Sequence, residues 1–205
     1  NGNDGIIYGA KCVDGKFGKA LRFDGVDDYV YLPTSTLGNW NQLTIAVWVK
    51  APQYTGSGWP PFVGSETTDA SHNIQFGIWQ NTRHLHLEVD TDTGNYPMEG
   101  SLPIPWNEWF HAVMVYDGLT LTEYINGMRG KSISASGNLK DVNYLHIGHQ
   151  YRYYFNGIID EVCIYNRALS EEEIRALYEQ GVAPRPKLAI EMDIDTSLKQ
   201  GEVRK

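Results

Sequence analysis

Hydrophobic residues recur at every second position along much of the chain up to about residue 167. The segment 43–49 shows this most clearly, because its alternate residues are all apolar and fall on one side of an extended chain. Similar apolar runs occupy 111–116, 119–125 and 158–165, and Asp-Gly or Asn-Gly pairs, which favour tight turns, end the first two of them. Many short strands with close turns predict an all-β protein, either a sandwich or a barrel.

One short helix is predicted after the last strand. Ser170 is suited to the N-cap position, and Glu173, three residues later, completes a capping box. The apolar residues that follow at helical spacing are Ile174, Leu177 and Tyr178. Gly181 is suited to end the helix.

The length of the chain bounds the number of domains. With 205 residues, 41% of them hydrophobic, the chain suffices for one large all-β domain. We expect this domain to cover residues 1–182, and residues 183–205 to be a linker or the start of a following segment. Because the chain begins inside sequence that already reads as structured, we take it as part of a longer protein whose export signal lies outside it.

The charge of the chain restricts its partners. A formal net charge of −8 repels phosphate groups, so nucleic acid is not an expected partner. No apolar stretch approaches the ~18 residues of a membrane span, so membrane insertion is not expected either. An acidic chain attracts cations, which makes Ca²⁺ a candidate ligand.

A series of motifs connects the chain to a known family. In order, these motifs are GKFGKAL at 15–21, FDGVDDYV at 23–30, LTIAVWV at 43–49, WFHAV at 109–113, YDG at 116–118, YING at 124–127, FNGIIDEV at 155–162 and IYNRALS at 164–170. Over about residues 1–181 the series resembles the laminin-G-like jelly-roll family of secreted prokaryotic proteins, within the concanavalin A-like lectin/glucanase superfamily. The resemblance implies two antiparallel sheets packed face to face, a frequent calcium site, and binding of carbohydrate or protein outside the cell.

The loop 24–28 is the candidate calcium site. It contains Asp24, Asp27 and Asp28, and Ca²⁺ prefers six to eight oxygen ligands from carboxylates and carbonyls. The family resemblance adds Asp160, on a late strand expected beside this early one. The alternative is a turn in which the aspartates cap backbone amides.

Two further segments predict a ligand-binding face. If the apolar residues of 74–79 and 84–89 share the core, the opposite face carries Gln75, Trp79, His84, His86 and Glu88. Sugars present apolar C–H faces and hydroxyl edges, which a Trp beside polar groups can match. The alternatives are a solvated sheet face and a zinc site at the His84–His86 pair, which lacks a nearby third ligand.

Two loops add candidate ligand-binding residues. Tyr151 and Arg152 lie in the ring-rich segment 149–154, and Trp59 lies in a Gly- and Pro-containing segment. Tyr, Trp and Arg are favoured in ligand sites and also at protein interfaces. The loops therefore do not separate glycan binding from protein binding.

The two cysteines, Cys12 and Cys163, leave two interpretations open. They are either buried thiols or one disulfide that ties the first strand to the last.

The sequence does not predict an enzyme. Retaining glycosidases need two neighbouring carboxylates, and the chain has no run of acidic residues at alternate strand positions. We therefore expect a non-catalytic, extracellular carbohydrate-binding module that is stabilised by calcium. The alternative is an adhesion or protein-interaction module of a larger surface or secreted protein.

Overall fold

The computed structural model describes residues 5–33, 40–66, 73–142, 144–180 and 189–191 and consists mainly of strands. The first nine strands are β1 (Ile6–Tyr8), β2 (Lys11–Asp14), β3 (Lys19–Asp24), β4 (Tyr29–Pro33), β5 (Leu43–Lys50), β6 (Pro61–Glu66), β7 (Ile74–Ile78), β8 (Leu85–Asp90) and β9 (Asn95–Glu99). The later elements are β10 (Trp109–Tyr116), β11 (Thr120–Ile125), β12 (Met128–Ser134), β13 (Tyr144–Ile147), β14 (His149–Gln150), β15 (Tyr153–Tyr154), β16 (Asn156–Tyr165), α1 (Glu171–Gln180) and β17 (Ala189–Glu191).

The strands form two large antiparallel sheets. One sheet has the strand order β1-β4-β13-β6-β7-β8-β9, and the other has the order β12-β11-β10-β5-β16-β3-β2, with β17 added beside β16. Strands β14 and β15 form a separate two-stranded hairpin. The predicted two-sheet jelly roll is confirmed.

The hydrophobic core lies between the two sheets. Val47, Phe76 and Phe110 are examples from β5, β7 and β10, and each is completely buried there. Burial of each such side chain stabilises the fold by roughly 1.5–3 kcal/mol.

Strand β5 is buried on both faces, although alternation alone predicts one buried face. Its second face carries Ala46, which belongs to a smaller cluster with Ile174 and Leu177 of helix α1. On the same face Trp48 stacks on Tyr178 of the helix, with ring centroids 5.7 Å apart. The helix therefore forms a third layer over β5.

The predicted helix and its capping box are confirmed. The Ser170 amide donates to Glu173 Oε2 at 2.9 Å, and the Glu173 amide donates back to Ser170 Oγ at 3.3 Å. Two amides at the start of the helix are satisfied in this way.

The pairing of the two segments predicted to carry the ligand site is confirmed. Strands β7 and β8 are antiparallel neighbours, with Gln75 opposite Glu88 and Gly77 opposite His86. Because Ile74, Phe76 and Ile78 belong to the core, these polar residues lie on the outer face of the sheet.

The predicted disulfide between Cys12 and Cys163 is wrong. Strand β3 lies between β2 and β16, where Cys12 is opposite Leu21 and Leu21 is opposite Ile159. The two cysteines are thus two strands apart, about 9.6 Å, and four residues out of register, which exceeds the ~4.4–6.8 Å that a disulfide allows between Cα atoms. Neither cysteine is joined in a disulfide; Cys12 is exposed and Cys163 is buried.

The C-terminal segment 183–205 is described only at Ala189–Glu191. The backbone of these three residues forms β17, opposite Cys163–Tyr165 of β16. The predicted role of 183–205 as a linker falls otherwise outside the described residues. Across the described ranges, no helix is long and apolar enough to cross a membrane.

Candidate ligand-binding site

A cavity of about 330 Å³ opens on the outer face of the sheet that contains β7 and β8. It is lined by Trp59, Gln75, His86, Glu88, Gln150, Tyr151, Arg152 and Tyr153. Its volume falls at the lower end of the ~300–1,000 Å³ range of small-ligand sites. Six of the eight residues predicted from the sequence are therefore brought together in one place.

Strands β7 and β8 supply the floor of the cavity. Gln75 and Glu88 are cross-strand partners, and His86 lies two residues before Glu88 on the same face. His86 Nε2 lies 3.0 Å from one carboxylate oxygen of Glu88, and Asn95 Nδ2 donates to the other oxygen at 2.7 Å. Since an ionised carboxylate only accepts, the proton of neutral His86 is on Nε2 and its Nδ1 is an acceptor.

The hairpin β14–β15 covers one side of the cavity. The amide nitrogen of Gln150 donates to the backbone oxygens of Ser65 and Ile74, each at 3.0 Å. Gly64 permits this approach, because a Cβ at that position would lie 2.7 Å from the Cβ of Gln150. These contacts fix the hairpin against β6 and β7.

The turn of the hairpin presents Tyr151 and Arg152 at the rim. Tyr151 has a φ of +57°, an unfavourable backbone conformation for a residue other than glycine. The Arg152 guanidinium lies 5.0 Å from the ring centre of Tyr151 and 5.8 Å from that of Tyr153, which is within cation–π range. The side chains at the rim are thereby held together around one positive charge.

Trp59 forms a wall of the cavity. Its ring meets the Tyr153 ring edge-on, with centroids 5.6 Å apart, and contacts the His86 ring at 6.1 Å. Its carbonyl oxygen accepts a hydrogen bond of 3.2 Å from Gln75 Nε2. The wall is thus tied to the floor through the backbone of Trp59 as well as through its ring.

Three buried polar atoms of the cavity have no hydrogen-bond partner within the described part of the chain: Trp59 Nε1, His86 Nδ1 and Gln150 Oε1. Buried polar groups are normally paired, and an unpaired group costs about 1–3 kcal/mol. The aromatic rings of Trp59 and Tyr153 surround the same space. A ligand with flat apolar faces and polar edges would pack on these rings and pair with the three polar atoms.

Trp79 and His84 do not line the cavity, although the sequence analysis grouped them with the floor residues. Trp79 follows the end of β7, and its ring stacks on His86 at a centroid distance of 4.7 Å. His84 precedes β8 and pairs with Glu99 at 2.9 Å. Both residues lie directly beyond the ends of their strands, where the backbone amide of Trp79 donates to the carbonyl oxygen of His84 at 3.0 Å. No group of three potential metal ligands among the described residues includes His84 or His86.

Gln150 and Tyr153 are cavity residues that the sequence analysis did not select. Both lie in the segment 149–154, which was selected for its rings and its arginine. Gln150 acquires its role from contacts with β6 and β7, more than 70 positions away in the chain. The one local signal is the hairpin itself, in which Tyr153 pairs directly with Gln150.

The predicted acidic loop does bring three carboxylates together. Oxygen atoms of Asp24, Asp27 and Asp28 lie within 4.8 Å of one another. Burial raises the pKa of Asp28, and the neighbouring charges of Asp24 and Asp27 raise it further. Asp28 also accepts the Asp24 amide at 2.9 Å, and Asp24 accepts the Val26 amide at 2.8 Å. The loop therefore has both the aspartate-capped turn and the cluster of carboxylate oxygens that a calcium site needs.

Asp160 is not part of this cluster, so its prediction as a calcium ligand is wrong. Asp24 is opposite Asn156, and Asp160 lies four residues further along β16, roughly 13 Å away. Its carboxylate instead accepts the backbone amides of Lys16 and Phe17 at 2.7 and 3.0 Å. Burial raises the pKa of Asp160, while these hydrogen bonds act to lower it. Asp160 thus organises the turn between β2 and β3.

Solved structures with the same fold include several binding domains. The binding domain of Paraclostridial mosquitocidal protein 1 superimposes with a TM-score of 0.73 at 18% identity, covering 88% of this chain and 48% of that one. Domain 4 of AbnA, a GH43 extracellular arabinanase from Geobacillus stearothermophilus solved with arabinotriose, gives 0.67 at 23% identity and covers 85% and 88% of the two chains. The binding domain of botulinum neurotoxin DC, solved with SialylT, gives 0.69 at 12% identity, with 87% and 46% covered.

These likenesses show a shared fold, and the chain spans about half the length of the mosquitocidal and botulinum binding domains. A comparison with curated proteins gives no match. The family model described as concanavalin A-like lectin/glucanases superfamily matches residues 24–175, about three quarters of the chain. The chain therefore belongs to the concanavalin A-like lectin/glucanase superfamily.

Proposed function

We propose that this chain is a non-catalytic carbohydrate-binding module of a secreted or cell-surface protein. The observation that carries the proposal is the cavity, where aromatic rings and three unpartnered buried polar atoms surround one space. A sugar ring has C–H faces that pack on aromatic rings and hydroxyl groups that both donate and accept hydrogen bonds. In this site Trp59 and Tyr153 offer the rings, and His86 and Gln150 offer the polar atoms.

The proteins that share the fold support this proposal. One is an arabinanase domain in complex with arabinotriose, and another is a neurotoxin binding domain in complex with SialylT. Because one fold hosts many functions, these ligands serve as probes and do not identify the ligand of this chain.

The lining of the cavity favours binding over hydrolysis. Glu88 is the one carboxylate among the lining residues, whereas glycoside hydrolysis uses a pair of carboxylates on either side of the scissile bond. Glu88 is also engaged by His86 and Asn95. Its geometry suits a fixed hydrogen-bond acceptor for a hydroxyl group.

Replacement of Trp59 by alanine is expected to weaken glycan binding at least tenfold. The variant removes one ring and one unpartnered donor from the cavity, and loss of such an anchor costs on the order of 2 kcal/mol. Trp59→Phe keeps a ring and removes the indole N–H, so its loss should be intermediate. Retention on a glycan array that includes arabinotriose and sialylated glycans measures both effects.

The matched control is Tyr8→Ala. Tyr8 is a partly exposed aromatic residue that stacks on Tyr29, outside the cavity. The Tyr8→Ala variant should bind glycans as the parent chain does. Circular dichroism checks that all variants fold. Equal retention by Trp59→Ala and the parent would refute this cavity as the glycan site.

A protein-interaction module is the second candidate function. It is favoured by the exposed hairpin tip, where Tyr151 is 49% exposed beside Arg152. Both residue types are common in interface hot spots. A protein partner whose binding depends on Tyr151 and not on Trp59 would favour this function over glycan binding.

We further propose that the acidic loop binds a structural Ca²⁺ through Asp24, Asp27 and Asp28. Their oxygens are close enough to share one cation, and a cation would relieve the mutual repulsion that raises the pKa of Asp28. Three carboxylates supply fewer than the six to eight oxygens of a calcium site, so backbone carbonyls or water would complete it.

Chelation is therefore expected to lower the melting temperature. A ligand that binds only the folded state stabilises it by about 2.7 kcal/mol at a hundredfold excess over its Kd. Thermal unfolding in millimolar CaCl₂ and in EDTA measures the difference, and Asp27→Asn should reduce it. Glu108→Gln is the control, because Glu108 is an exposed acidic residue outside the cluster. Identical melting curves in calcium and in EDTA would rule out the site.

A further inference from the structure

The polar atoms of the cavity floor have fixed hydrogen-bonding roles. The Gln150 amide nitrogen donates to two backbone oxygens, so its side-chain oxygen is the atom left for a ligand, and it can only accept. When the His86 ring is neutral and donates from Nε2 to the Glu88 carboxylate, its buried Nδ1 also accepts. Glu88 itself is a third acceptor. A ligand that reaches the floor must therefore supply hydrogen-bond donors.

This polarity distinguishes between classes of sugar. Hydroxyl groups can donate to Gln150 and His86, whereas ionised carboxylate and sulfate groups have no proton to donate. Such an anion would also lie near the Glu88 carboxylate in a confined space, where repulsion between like charges is strong. The net charge of −8 adds to this repulsion at longer range.

Among the residues that line the cavity, Arg152 is the one Lys or Arg, and its positive charge could favour an anionic ligand. Its guanidinium lies over the rings of Tyr151 and Tyr153, at the tip of the hairpin. Arg152 is exposed, whereas Gln75, His86 and Gln150 are buried. Its charge is thus at the rim and leaves the polarity of the floor unchanged.

We infer that the cavity selects a neutral sugar unit, recognised through its hydroxyl donors by Gln150, His86 and Glu88, and excludes uronic acids and sulfated sugars. This inference rests on the proposed glycan-binding function. The volume of about 330 Å³ restricts the recognised part to a small unit of one or two rings.

The test compares sugars that differ only in charge. The probes are the methyl glycosides of glucose and galactose, each with the methyl glycoside of its uronic acid, titrated against the ¹⁵N-labelled chain at pH 7. The Trp59 indole N–H signal, assigned with Trp59→Phe, reports on the cavity directly. We expect each neutral glycoside to bind at least tenfold more tightly than its acidic partner, because the floor opposes a carboxylate. Equal or tighter binding of the acidic partners would overturn the inference.

Two variants locate the origin of the selectivity. Glu88→Gln removes the negative charge from the floor and should reduce the neutral-to-acidic affinity ratio severalfold. Arg152→Ala should leave the ratio in favour of neutral sugars. A ratio that is unaffected by Glu88→Gln, or a preference for acidic sugars that disappears in Arg152→Ala, would contradict recognition at the floor.

Failure of the proposed function gives a different result. In that case neither series moves the Trp59 signal, and no neutral or acidic glycan is retained on an array. Binding of acidic glycans that Trp59→Ala abolishes would keep the glycan-binding function and refute the neutral selectivity.

Discussion

Replacement of Glu123 by alanine is expected to lower the free energy of unfolding by about 4 kcal/mol. Glu123 is completely buried in β11. One of its carboxylate oxygens accepts the backbone amides of Ser101, Leu102 and Lys131 and the hydroxyl of Ser101. Removal of the carboxylate leaves these donors without their acceptor, and each unpaired buried donor costs about 1–3 kcal/mol before relaxation and water entry.

The residues packed around Glu123 include no side chain at Gly100 or Gly130 that could fill the space left by the missing carboxylate. Its carboxylate occupies space beside Gly100 and Gly130, where a Cβ would collide with it. Through this side chain β11 is hydrogen-bonded to the segment that follows β9 and to strand β12. The change should therefore loosen both segments together.

Urea unfolding of two variants measures the effect. Glu123→Gln keeps one carbonyl oxygen for the donors, so its loss should be smaller than that of Glu123→Ala. Glu108→Ala removes an exposed glutamate and should change stability by no more than about 0.5 kcal/mol. If Glu123→Ala is as stable as Glu108→Ala, the buried carboxylate does not anchor these segments.

The floor of the candidate site was predictable because it depends on local rules. The alternation of 74–79 and 84–89, with a short gap between them, fixes both the pairing and the outward face of Gln75, His86 and Glu88. A period of two determines which side chains share a face. It does not determine which residues of that face line a cavity, and for this reason Trp79 and His84 were grouped with residues whose cavity they do not line.

The contribution of Gln150 was not predictable from the sequence. It depends on how the hairpin packs over Gly64 of β6, a strand whose neighbours in the sheet are β13 and β7. A glutamine in a tyrosine-rich loop carries no sign that its amide will bind two distant backbone oxygens. Long-range contacts of this kind follow from sheet order, and many sheet orders are compatible with the same strands.

The acidic residues also divide into those whose position follows from the local sequence and one whose position depends on long-range strand register. Asp24, Asp27 and Asp28 are neighbours in the sequence, so their cluster follows from a tight loop. Asp160 was assigned to that loop because late and early strands are adjacent in the family. The adjacency is correct, but the register places Asp160 at the other end of β3, beside the turn at Lys16.

Lowering the pH from 7 to 5 is expected to destabilise the chain through two buried histidines, by about 2 kcal/mol through His111 and by less through His146. Burial lowers the pKa of His111 to about 4, and burial together with the neighbouring His149 lowers the pKa of His146 to about 4. The ordinary pKa of histidine is 6.5. Between pH 6.5 and 4 the unfolded chain therefore binds more protons than the folded chain, so stability falls as the pH falls. At pH 5 His111 contributes about 2 kcal/mol of this loss, and the less deeply buried His146 contributes less.

The variant His111→Phe separates this effect from the titration of carboxylates. The His111 ring packs against both Trp48 and Tyr178, with centroids 5.3 and 6.4 Å away. Its buried Nδ1 has no partner in the described chain, so a phenyl ring suits the position. Asp28 and Asp160 have pKa values raised by burial and act in the opposite direction, but they do so equally in both proteins. Urea unfolding at pH 7 and pH 5 should therefore show a loss that is about 2 kcal/mol smaller in the variant than in the parent. The same pH dependence in the two proteins would show that His111 titrates normally and is not the buried neutral ring that the packing of β10 against α1 requires.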